Sequence, residues 1–166
     1  MYKKTKPRLS NQEWFFEDYQ EDTFIEIGPV YVKKDELIAF ALKYDPQPMH
    51  IDPEAAKKGP YNGLIASGWQ TCALVMRELV KNYFSPSSSL GSPGIDELQW
   101  LKPVRPGDML KIRATIMETK LSRSKPDRGL VRTLVEALNQ KQEKVISFKV
   151  LNFMLRSKSS LKKKIN

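Results

Sequence analysis

The stretch that decides the fold runs from Ser67 to Tyr83 and reads SGWQTCALVMRELVKNY. Apolar side chains recur in it at spacings of three and four residues, the period of one face of an α-helix. They are Trp69, Cys72, Ala73, Met76, Leu79, Val80 and Tyr83. Leu74 and Val75 add apolar character on other sides, so the first three turns are apolar most of the way round. This pattern predicts a long, buried central helix over about residues 67–83.

The segments on either side of this helix favour β-strands. Residues 24–32 are rich in β-branched and aromatic side chains, and Gly28-Pro29 in their middle indicates an edge position or a bulge. After the helix, four further strands are predicted over Ile95–Leu101, Leu110–Ile116, Val131–Leu138 and Val145–Leu155. In the last of these the alternation changes phase near Val150-Leu151, which indicates a bulge. One strand, a long helix and four strands predict an α+β fold with one predominantly antiparallel sheet.

Between the first strand and the central helix, the chain alternates short helices and turns. Residues 35–42 predict a short helix with acids in its first turn, ending near Tyr44 because a residue before proline avoids the helical region. Residues 45–48 then predict an extended loop. Asp52 is predicted to cap a second short helix, since Pro53 follows it at the first helical position.

Length and composition indicate a single globular domain with short tails. The chain has 166 residues, of which 40% are hydrophobic and 28% charged. We expect an N-terminal arm over residues 1–20, one domain over residues 21–156, and a basic, disordered tail over residues 157–166. No stretch approaches the ~20 apolar residues of a membrane span, and residues 1–10 lack the apolar block of a secretory signal.

A single cysteine and a single histidine limit the chemistry that the chain can carry. One cysteine excludes an internal disulfide, and the pair is too few for a Cys/His zinc site within one chain. We read Cys72 as a core residue within the apolar helix. The cysteine content favours a cytoplasmic location.

The net charge of +9 suits a polyanionic partner. Candidates are nucleic acid, a phosphate-bearing small molecule such as coenzyme A, and an acidic carrier protein. Basic residues do not interleave with aromatic ones as they do in an RNA-binding sheet, so nucleic acid is the weaker option. Part of the charge lies in the basic tail, where solvation alone accounts for it.

His50 and Asp45 are the strongest candidates for catalysis. An imidazole can exchange a proton with water or substrate near neutral pH. Asp45 lies five residues earlier, across a bridge stiffened by two prolines. It can hold the ring in one tautomer or act on the same water molecule. The alternative is a turn aspartate that accepts hydrogen bonds from the backbone before Pro46.

Gly68 and Ser67 occupy the predicted start of the central helix. A glycine N–H at this position can donate to a carbonyl oxygen that is becoming an oxyanion, and the helix dipole assists it. The alternative is a glycine required for close packing. Ser67 is better suited to capping the helix than to acting as a nucleophile, because no second histidine is available to activate it.

At this point the sequence resembles a known family. Residues 40–56, FALKYDPQPMHIDPEAA, resemble the hydratase-2 motif of the MaoC-like dehydratases, which are hotdog-fold enzymes that include the (R)-specific enoyl-CoA hydratases. Residues 63–68, GLIASG, and residues 101–108, LKPVRPGD, resemble two further family segments. The resemblance covers about residues 20–155. Gln47 departs from the usual asparagine, and Ser67 from the histidine of many members.

The resemblance implies a hotdog fold, in which an antiparallel sheet wraps around the central helix. It also implies reversible hydration of a trans-2-enoyl thioester to the (R)-3-hydroxyacyl product, as in fatty acid metabolism. Asp45 and His50 match the catalytic pair. Gly68 matches the oxyanion donor, with Ser67 and Gln47 beside it as further oxyanion or substrate-binding residues.

The family comparison further implies an acyl-CoA or acyl-carrier-protein substrate, no metal or redox cofactor, and a homodimer or higher homo-oligomer. Trp69, Met76 and Leu98 are candidates for lining an acyl tunnel, with a core role as the alternative. Five basic residues are candidates for contacting coenzyme A phosphates: Lys102, Arg105, Arg123, Lys125 and Arg128.

Three other functions remain open. A hotdog thioesterase usually places a carboxylate on or near the central helix, but residues 67–75 contain none and Glu78 comes late. A non-catalytic acyl-thioester-binding domain is disfavoured because Asp45 and His50 are both present. A nucleic-acid role rests on the net charge alone.

Overall fold

The computed structural model describes residues 2–162 of the chain. Six strands form one sheet in the order β1-β2-β4-β5-β6-β3. Neighbouring strands are antiparallel except for the parallel pair β1 and β2. The strands are β1 (Lys3–Lys4), β2 (Thr23–Tyr31), β3 (Ile95–Trp100), β4 (Met109–Leu121), β5 (Arg128–Leu138) and β6 (Lys144–Leu155).

One long helix packs against this sheet, and smaller helices lead into it. They are α1 (Lys34–Tyr44), α2 (Pro48–Ile51), α3 (Pro53–Lys58), α4 (Gly68–Asn82) and α5 (Lys158–Lys162). Residues alternate between buried and half-buried along β5, so its inner side chains join those of α4 in one core. The predicted hotdog arrangement, a mostly antiparallel sheet around a central helix, is confirmed.

The central helix is buried on one side only. The side chains that face the sheet are Gln70, Thr71, Leu74, Val75 and Leu79. Trp69 and Val80, in contrast, are 61% and 50% exposed. The first three turns are apolar most of the way round, but the predicted burial holds for one side of α4 only, because one sheet covers one side of a helix.

Of the two predicted bulges, the first is confirmed and the second is wrong. The pairing of β2 with β4 shifts between Ile27 and Val30, at Gly28-Pro29. A side chain on Gly28 would place its Cβ 2.8 Å from the carbonyl oxygen of Leu110. Near Val150-Leu151, by contrast, β6 pairs with β5 without a shift. The alternation breaks because a polar residue, Asn152, takes an inward position in which it is 5% exposed.

The N-terminal arm packs on the C-terminal end of α4. Arg8 is 4% exposed, and its guanidinium donates to the carbonyl oxygens of Val80 and Lys81 at 3.2 and 3.0 Å. The rings of Tyr19 and Tyr83 meet edge to face with their centroids 5.2 Å apart. These contacts join the first twenty residues to the core.

The C-terminal segment contains the short helix α5, so part of the tail that was expected to be disordered has a defined conformation. The last four residues of the predicted tail, 163–166, lie outside the described residues. Within residues 2–162, no helix has both the length and the apolar character that crossing a bilayer requires.

Candidate active site

Local backbone chemistry brings Asp45 and His50 to the same place. Asp45 terminates α1, and its N–H donates to the carbonyl oxygen of Ala41 at 2.8 Å. Gln47 is the cap residue of α2, and Pro48 occupies its first turn, where a proline costs nothing. His50 therefore lies on a short helix, and the prediction of an extended loop through residue 48 is wrong at its end.

The Asp45 carboxylate is held by two hydrogen bonds. Gln47 Nε2 donates to Oδ1 at 2.7 Å, and Ser67 Oγ donates to Oδ2 at 2.7 Å. Both bonds favour the ionised form, so they lower the pKa of Asp45, with Gln47 making the larger contribution. The result is a fixed negative charge beside the imidazole of His50.

The imidazole of His50 is buried at 4% exposure, and its tautomer follows from its neighbours. Nδ1 lies 2.9 Å from the carbonyl oxygen of Ile65. A carbonyl oxygen only accepts hydrogen bonds, so Nδ1 carries a proton. Nε2 then faces Asp45, at 3.4 Å from Oδ2. In the neutral ring Nε2 has a lone pair. This nitrogen and the Asp45 carboxylate are therefore two adjacent hydrogen-bond acceptors, to which one water molecule can donate both of its protons.

Ser67 does not cap α4 as predicted. It is fully buried and makes no side-chain cap bond, because its hydroxyl donates to Asp45 instead. The first N–H of α4, on Gly68, has no acceptor within the helix, as is general for a helix start.

Gly68 is also required for packing. The indole N–H of Trp100 donates to the Gly68 carbonyl oxygen at 2.9 Å. A Cβ on Gly68 would lie 2.6 Å from Cε2 of that indole ring. The two interpretations of this glycine therefore do not exclude each other. The sequence analysis did not identify Trp100 as a site residue. The alternation of its strand does not indicate that the indole contacts the first residue of α4.

These groups face one cavity of about 460 Å³, which we call the histidine cavity. Its lining combines polar groups with aromatic and aliphatic side chains. Its lining includes Asp45, Gln47, Met49, His50, Gly68, Trp69, Trp100, Leu101 and Lys102. The cavity therefore brings together an imidazole, a carboxylate, the first residue of α4 and several apolar side chains.

The other residues singled out by the sequence are spread more widely. Asp52 caps α3 as predicted, accepting hydrogen bonds from the N–H groups of Glu54 and Ala55 at 2.9 and 3.1 Å. Among the tunnel candidates, Trp69 lines the histidine cavity and Met76 lines a different one, while Leu98 packs against the core.

The five basic residues that were candidates for phosphate contact lie in two different regions of the fold. Lys102 lines the histidine cavity, and Arg105 donates to the carbonyl oxygen of Tyr61 in its wall at 2.6 Å. Arg123, Lys125 and Arg128 lie around the connection between β4 and β5 and are not part of that lining. Among residues 2–162, no three His, Cys, Asp or Glu side chains cluster where they could hold a metal ion.

The chain is similar in sequence to known proteins. The family model described as "MaoC like domain" matches residues 17–139. The uncharacterized protein YdeM of Bacillus subtilis is 34% identical over 114 residues, which are 69% of this chain and 79% of that protein.

Among the similar solved structures, two illustrate the range of sequence identity. The MaoC-like dehydratase from Rhodospirillum rubrum is 35% identical with a TM-score of 0.80, covering 87% of this chain and 98% of that one. The R-hydratase PhaJ1 from Pseudomonas aeruginosa, solved without ligand, is 22% identical with a TM-score of 0.72, covering 86% of each chain. The second similarity concerns the fold alone.

Proposed function

This chain belongs to the MaoC-like domain family, and from that premise we propose that it is an acyl dehydratase. It adds water reversibly to a trans-2-enoyl thioester and yields the (R)-3-hydroxyacyl thioester. The observation that carries the proposal is the Asp45 and His50 pair, which lines the histidine cavity together with Gly68, the first residue of α4. A role in fatty acid metabolism and a cytoplasmic location remain predictions from the sequence.

The pair binds and activates the attacking water. With Nδ1 protonated against Ile65, Nε2 of His50 accepts one proton of the water while Asp45 accepts the other as a hydrogen bond. The hydroxide adds to C3 of the enoyl group, the C2–C3 π pair becomes a C1–C2 double bond, and the carbonyl π pair moves to the thioester oxygen to give an enolate. The proton on Nε2 is then delivered to C2 on the same face, which completes a syn addition.

Gly68 stabilises the oxygen that becomes negative during this step. Its N–H is the first of α4, and the partial positive charge of a helix start favours an enolate oxygen there. One such donor typically contributes ~10²–10³-fold and an acid–base group ~10²–10⁴-fold. Every step is a proton transfer or an addition, so the proposed reaction uses no metal or redox cofactor.

Lys102 and Arg105 are the proposed contacts for the phosphates of the carrier. They lie on the segment between β3 and β4 that borders the histidine cavity. Lys102 is ion-paired with Glu143 at 3.3 Å, but its side chain is 54% exposed and free to turn toward a polyanion. Coenzyme A and an acyl carrier protein both present a phosphopantetheine arm, so either fits these contacts as the carrier.

Hydrolysis of the thioester is less well supported. Glu78 is the acid of α4, and its carboxylate accepts hydrogen bonds from Arg77 and Lys81. It is not part of the histidine cavity. A hydrolase on this scaffold would need that carboxylate near the thioester carbon, so the position of Glu78 favours hydration.

The test is the absorbance of the enoyl-thioester band of crotonyl-CoA, followed with wild type and His50→Ala side by side. We expect the band to decay with wild type and to persist with the variant. Decay at the same rate with both proteins would refute the assignment of the site. Binding of crotonyl-CoA without any decay would instead indicate the non-catalytic alternative.

We also propose that two copies of the chain associate through β3 and the outer side of α4. β3 is the last strand of the sheet, and an open edge with exposed apolar neighbours pairs readily with another chain. The exposed apolar side chains on this side are Trp69, Val80, Ile95, Trp100 and Leu101, between 44% and 61% exposed. Pairing of identical edges gives a closed two-fold dimer.

Sedimentation equilibrium tests this association. Val80→Glu places a charge in the proposed interface, so we expect it to convert dimer to monomer. Leu42→Glu, on α1, is the matched control, since Leu42 is 60% exposed and lies on another surface. A monomeric wild type, or equal effects of both substitutions, would refute the proposed interface.

A further inference from the structure

One end of the sheet presents exposed cations that have no acidic partner. Two belong to the connection between β4 and β5, and two belong to α5. They are Arg123, Lys125, Lys158 and Lys162, which we call the basic end. Within residues 2–162, none of the four forms an ion pair.

The acids next to the basic end are already bonded to other cations. Asp127 pairs with Arg128 at 2.8 Å, and Glu17 pairs with Arg156 at 3.0 Å. Neither carboxylate is therefore available to the four exposed cations. The charge of the basic end is not neutralised within the described chain, and such a concentration of positive charge suits a polyanionic partner.

Arg156 joins the two segments that form the basic end. Its N–H donates to the carbonyl oxygen of Asp127 at 2.8 Å. Its guanidinium donates to the carbonyl oxygens of Pro126 and Ser160 at 3.3 and 3.4 Å. In the sequence, solvation alone accounts for the lysines of the tail. In the structure, α5 is bonded through Arg156 to the connection between β4 and β5, so the cations of both segments belong to one surface.

The basic end lies far from the histidine cavity. β6 passes that cavity at Val145 and reaches Leu155, the residue before Arg156. Ten steps along a strand advance about 33 Å. The basic end also lies outside β3 and α4, through which two copies of the chain are proposed to associate. A partner bound there leaves both of those surfaces free.

The side chains beside the cations indicate the kind of polyanion. Leu121, the last residue of β4, is 42% exposed, and Leu161 on α5 is half-buried. Neither residues 122–127 nor α5 contain an aromatic side chain, on which the bases of single-stranded nucleic acid would stack. Cations next to aliphatic side chains suit an anionic lipid surface, which offers headgroup phosphates with an acyl region beneath them.

We propose that the basic end binds the surface of an anionic phospholipid bilayer. Its cations contact the headgroup phosphates, and Leu121 reaches the boundary of the acyl region. Each Lys or Arg close to such a surface strengthens binding about fivefold. The inference does not depend on the proposed hydration reaction, because no residue of the histidine cavity takes part.

Sedimentation of the full chain with lipid vesicles tests the proposal. Vesicles of phosphatidylcholine alone are compared with vesicles of phosphatidylglycerol and phosphatidylcholine in equal amounts. We expect at least about tenfold tighter binding to the anionic vesicles at low salt, and a steep loss of binding as salt is added. Equal binding to both kinds of vesicle would overturn the proposal. Binding to a DNA duplex without binding to the anionic vesicles would also overturn it, in favour of nucleic acid.

Charge reversal tests whether the basic end is the surface that binds. Arg123→Glu combined with Lys125→Glu should weaken binding to the anionic vesicles at least about tenfold. Lys57→Glu combined with Lys58→Glu is the matched control, because it makes the same change of charge at exposed positions on α3. Thermal unfolding verifies that both double variants fold. Equal losses of binding in the two would show that net charge alone is responsible and would refute the basic end.

Leu121→Ser distinguishes a lipid surface from other polyanions. The substitution leaves the charge unchanged and removes an exposed aliphatic side chain, so binding to the anionic vesicles should weaken a few-fold. Elution from a cation-exchange resin, which reports charge alone, should stay the same. Unchanged binding of this variant to the vesicles would contradict the contact with the acyl region.

Discussion

The two ends of α4 differ in how their backbone groups are bonded. At its start, Gly68 lines the histidine cavity, and the hydroxyl of the cap residue Ser67 is bonded to Asp45 instead of to the helix backbone. At its end, the side chain of Arg8 binds the carbonyl oxygens of Val80 and Lys81, and the Arg8 N–H binds that of Asn82.

This difference separates the end of α4 that is proposed to bind substrate from the end that Arg8 stabilises. Free backbone groups at a helix end cost stability unless a partner satisfies them, and at the start of α4 that partner is the proposed substrate oxygen. Dense bonding at the other end holds the helix in place while its start stays open. Substitutions at the two ends should therefore separate activity from stability.

The largest effect is expected at the catalytic pair. His50→Ala and Asp45→Ala should each lower kcat at least about a hundredfold, because each removes a group that binds and deprotonates water. Steady-state hydration of crotonyl-CoA measures this, with thermal unfolding to verify that each variant folds. Asp52→Ala is the control: loss of the α3 cap should cost about 1 kcal/mol of stability and leave kcat nearly unchanged. Near-normal turnover by either pair variant would contradict the roles assigned to both residues.

Arg8→Met should lower stability and leave activity nearly unchanged, the reverse of the effect expected at the catalytic pair. It removes charged hydrogen bonds to the last carbonyls of α4, so we expect the free energy of unfolding to fall by about 2–3 kcal/mol, as measured in urea. Turnover at low urea should change little, because the histidine cavity lies at the far end of the helix. Arg8→Lys should rescue only part of the loss, since one ammonium cannot reproduce the planar guanidinium fork. A large fall in kcat with stability intact would show that the two ends are not separable.

Ser67→Ala tests the hydroxyl that serves Asp45 instead of the helix. Loss of one donor should raise the pKa of Asp45, whose lowered value depends on Gln47 and Ser67. Activity that requires the carboxylate is lost as pH falls through that pKa, so the acid limb of the kcat/KM profile should move to higher pH, with activity about tenfold lower near it. Thr71→Val removes a neighbouring buried hydroxyl, one that donates to the Ser67 carbonyl oxygen, and should not move the limb. An unmoved acid limb in Ser67→Ala would exclude the positioning role.

The lowered pKa of Asp45 also makes the stability of the fold depend on pH. Because the pKa of Asp45 is lowered in the folded state, its stabilisation is present above the pKa of the unfolded chain. It is lost as pH falls through the folded pKa. In Ser67→Ala this pH-dependent part should shrink, and acid titration of the unfolding midpoint would show it.

The smallest effect is expected at the rim of the histidine cavity. Lys102→Ala should raise KM for crotonyl-CoA a few-fold with kcat unchanged, because an exposed charge contributes to binding but not to the chemical step. The difference from wild type should narrow as salt is added. Lys81→Ala, on the other end of α4, is the matched control and should leave KM unchanged. A KM that does not respond to Lys102→Ala would remove this residue from the phosphate contact.

The sequence predicted those features that depend on neighbours along the chain. The spacing of apolar residues in 67–83 predicted α4, and residue types and alternation predicted β2 to β6, whereas β1 was not predicted. Asp52 was identified as a cap because its acceptors follow within three residues. The pairing of Asp45 with His50 was also accessible, since five residues and two prolines separate them. In each case the interacting residues are close in sequence, so the order of residues is enough to predict the element or the contact.

Tertiary structure decided the contacts between distant segments. The Ser67 hydroxyl meets a carboxylate 22 residues earlier, and the indole of Trp100 meets Gly68 from 32 residues away. The apolar residues of α4 also divide into a covered and an open side only once one sheet packs against it. A bulge was wrongly predicted near Val150-Leu151, because alternation alone does not distinguish an extra residue from a polar one, here Asn152, that faces inward. A sequence determines which segments can fold, whereas the partner of a buried polar group depends on which segments meet in space.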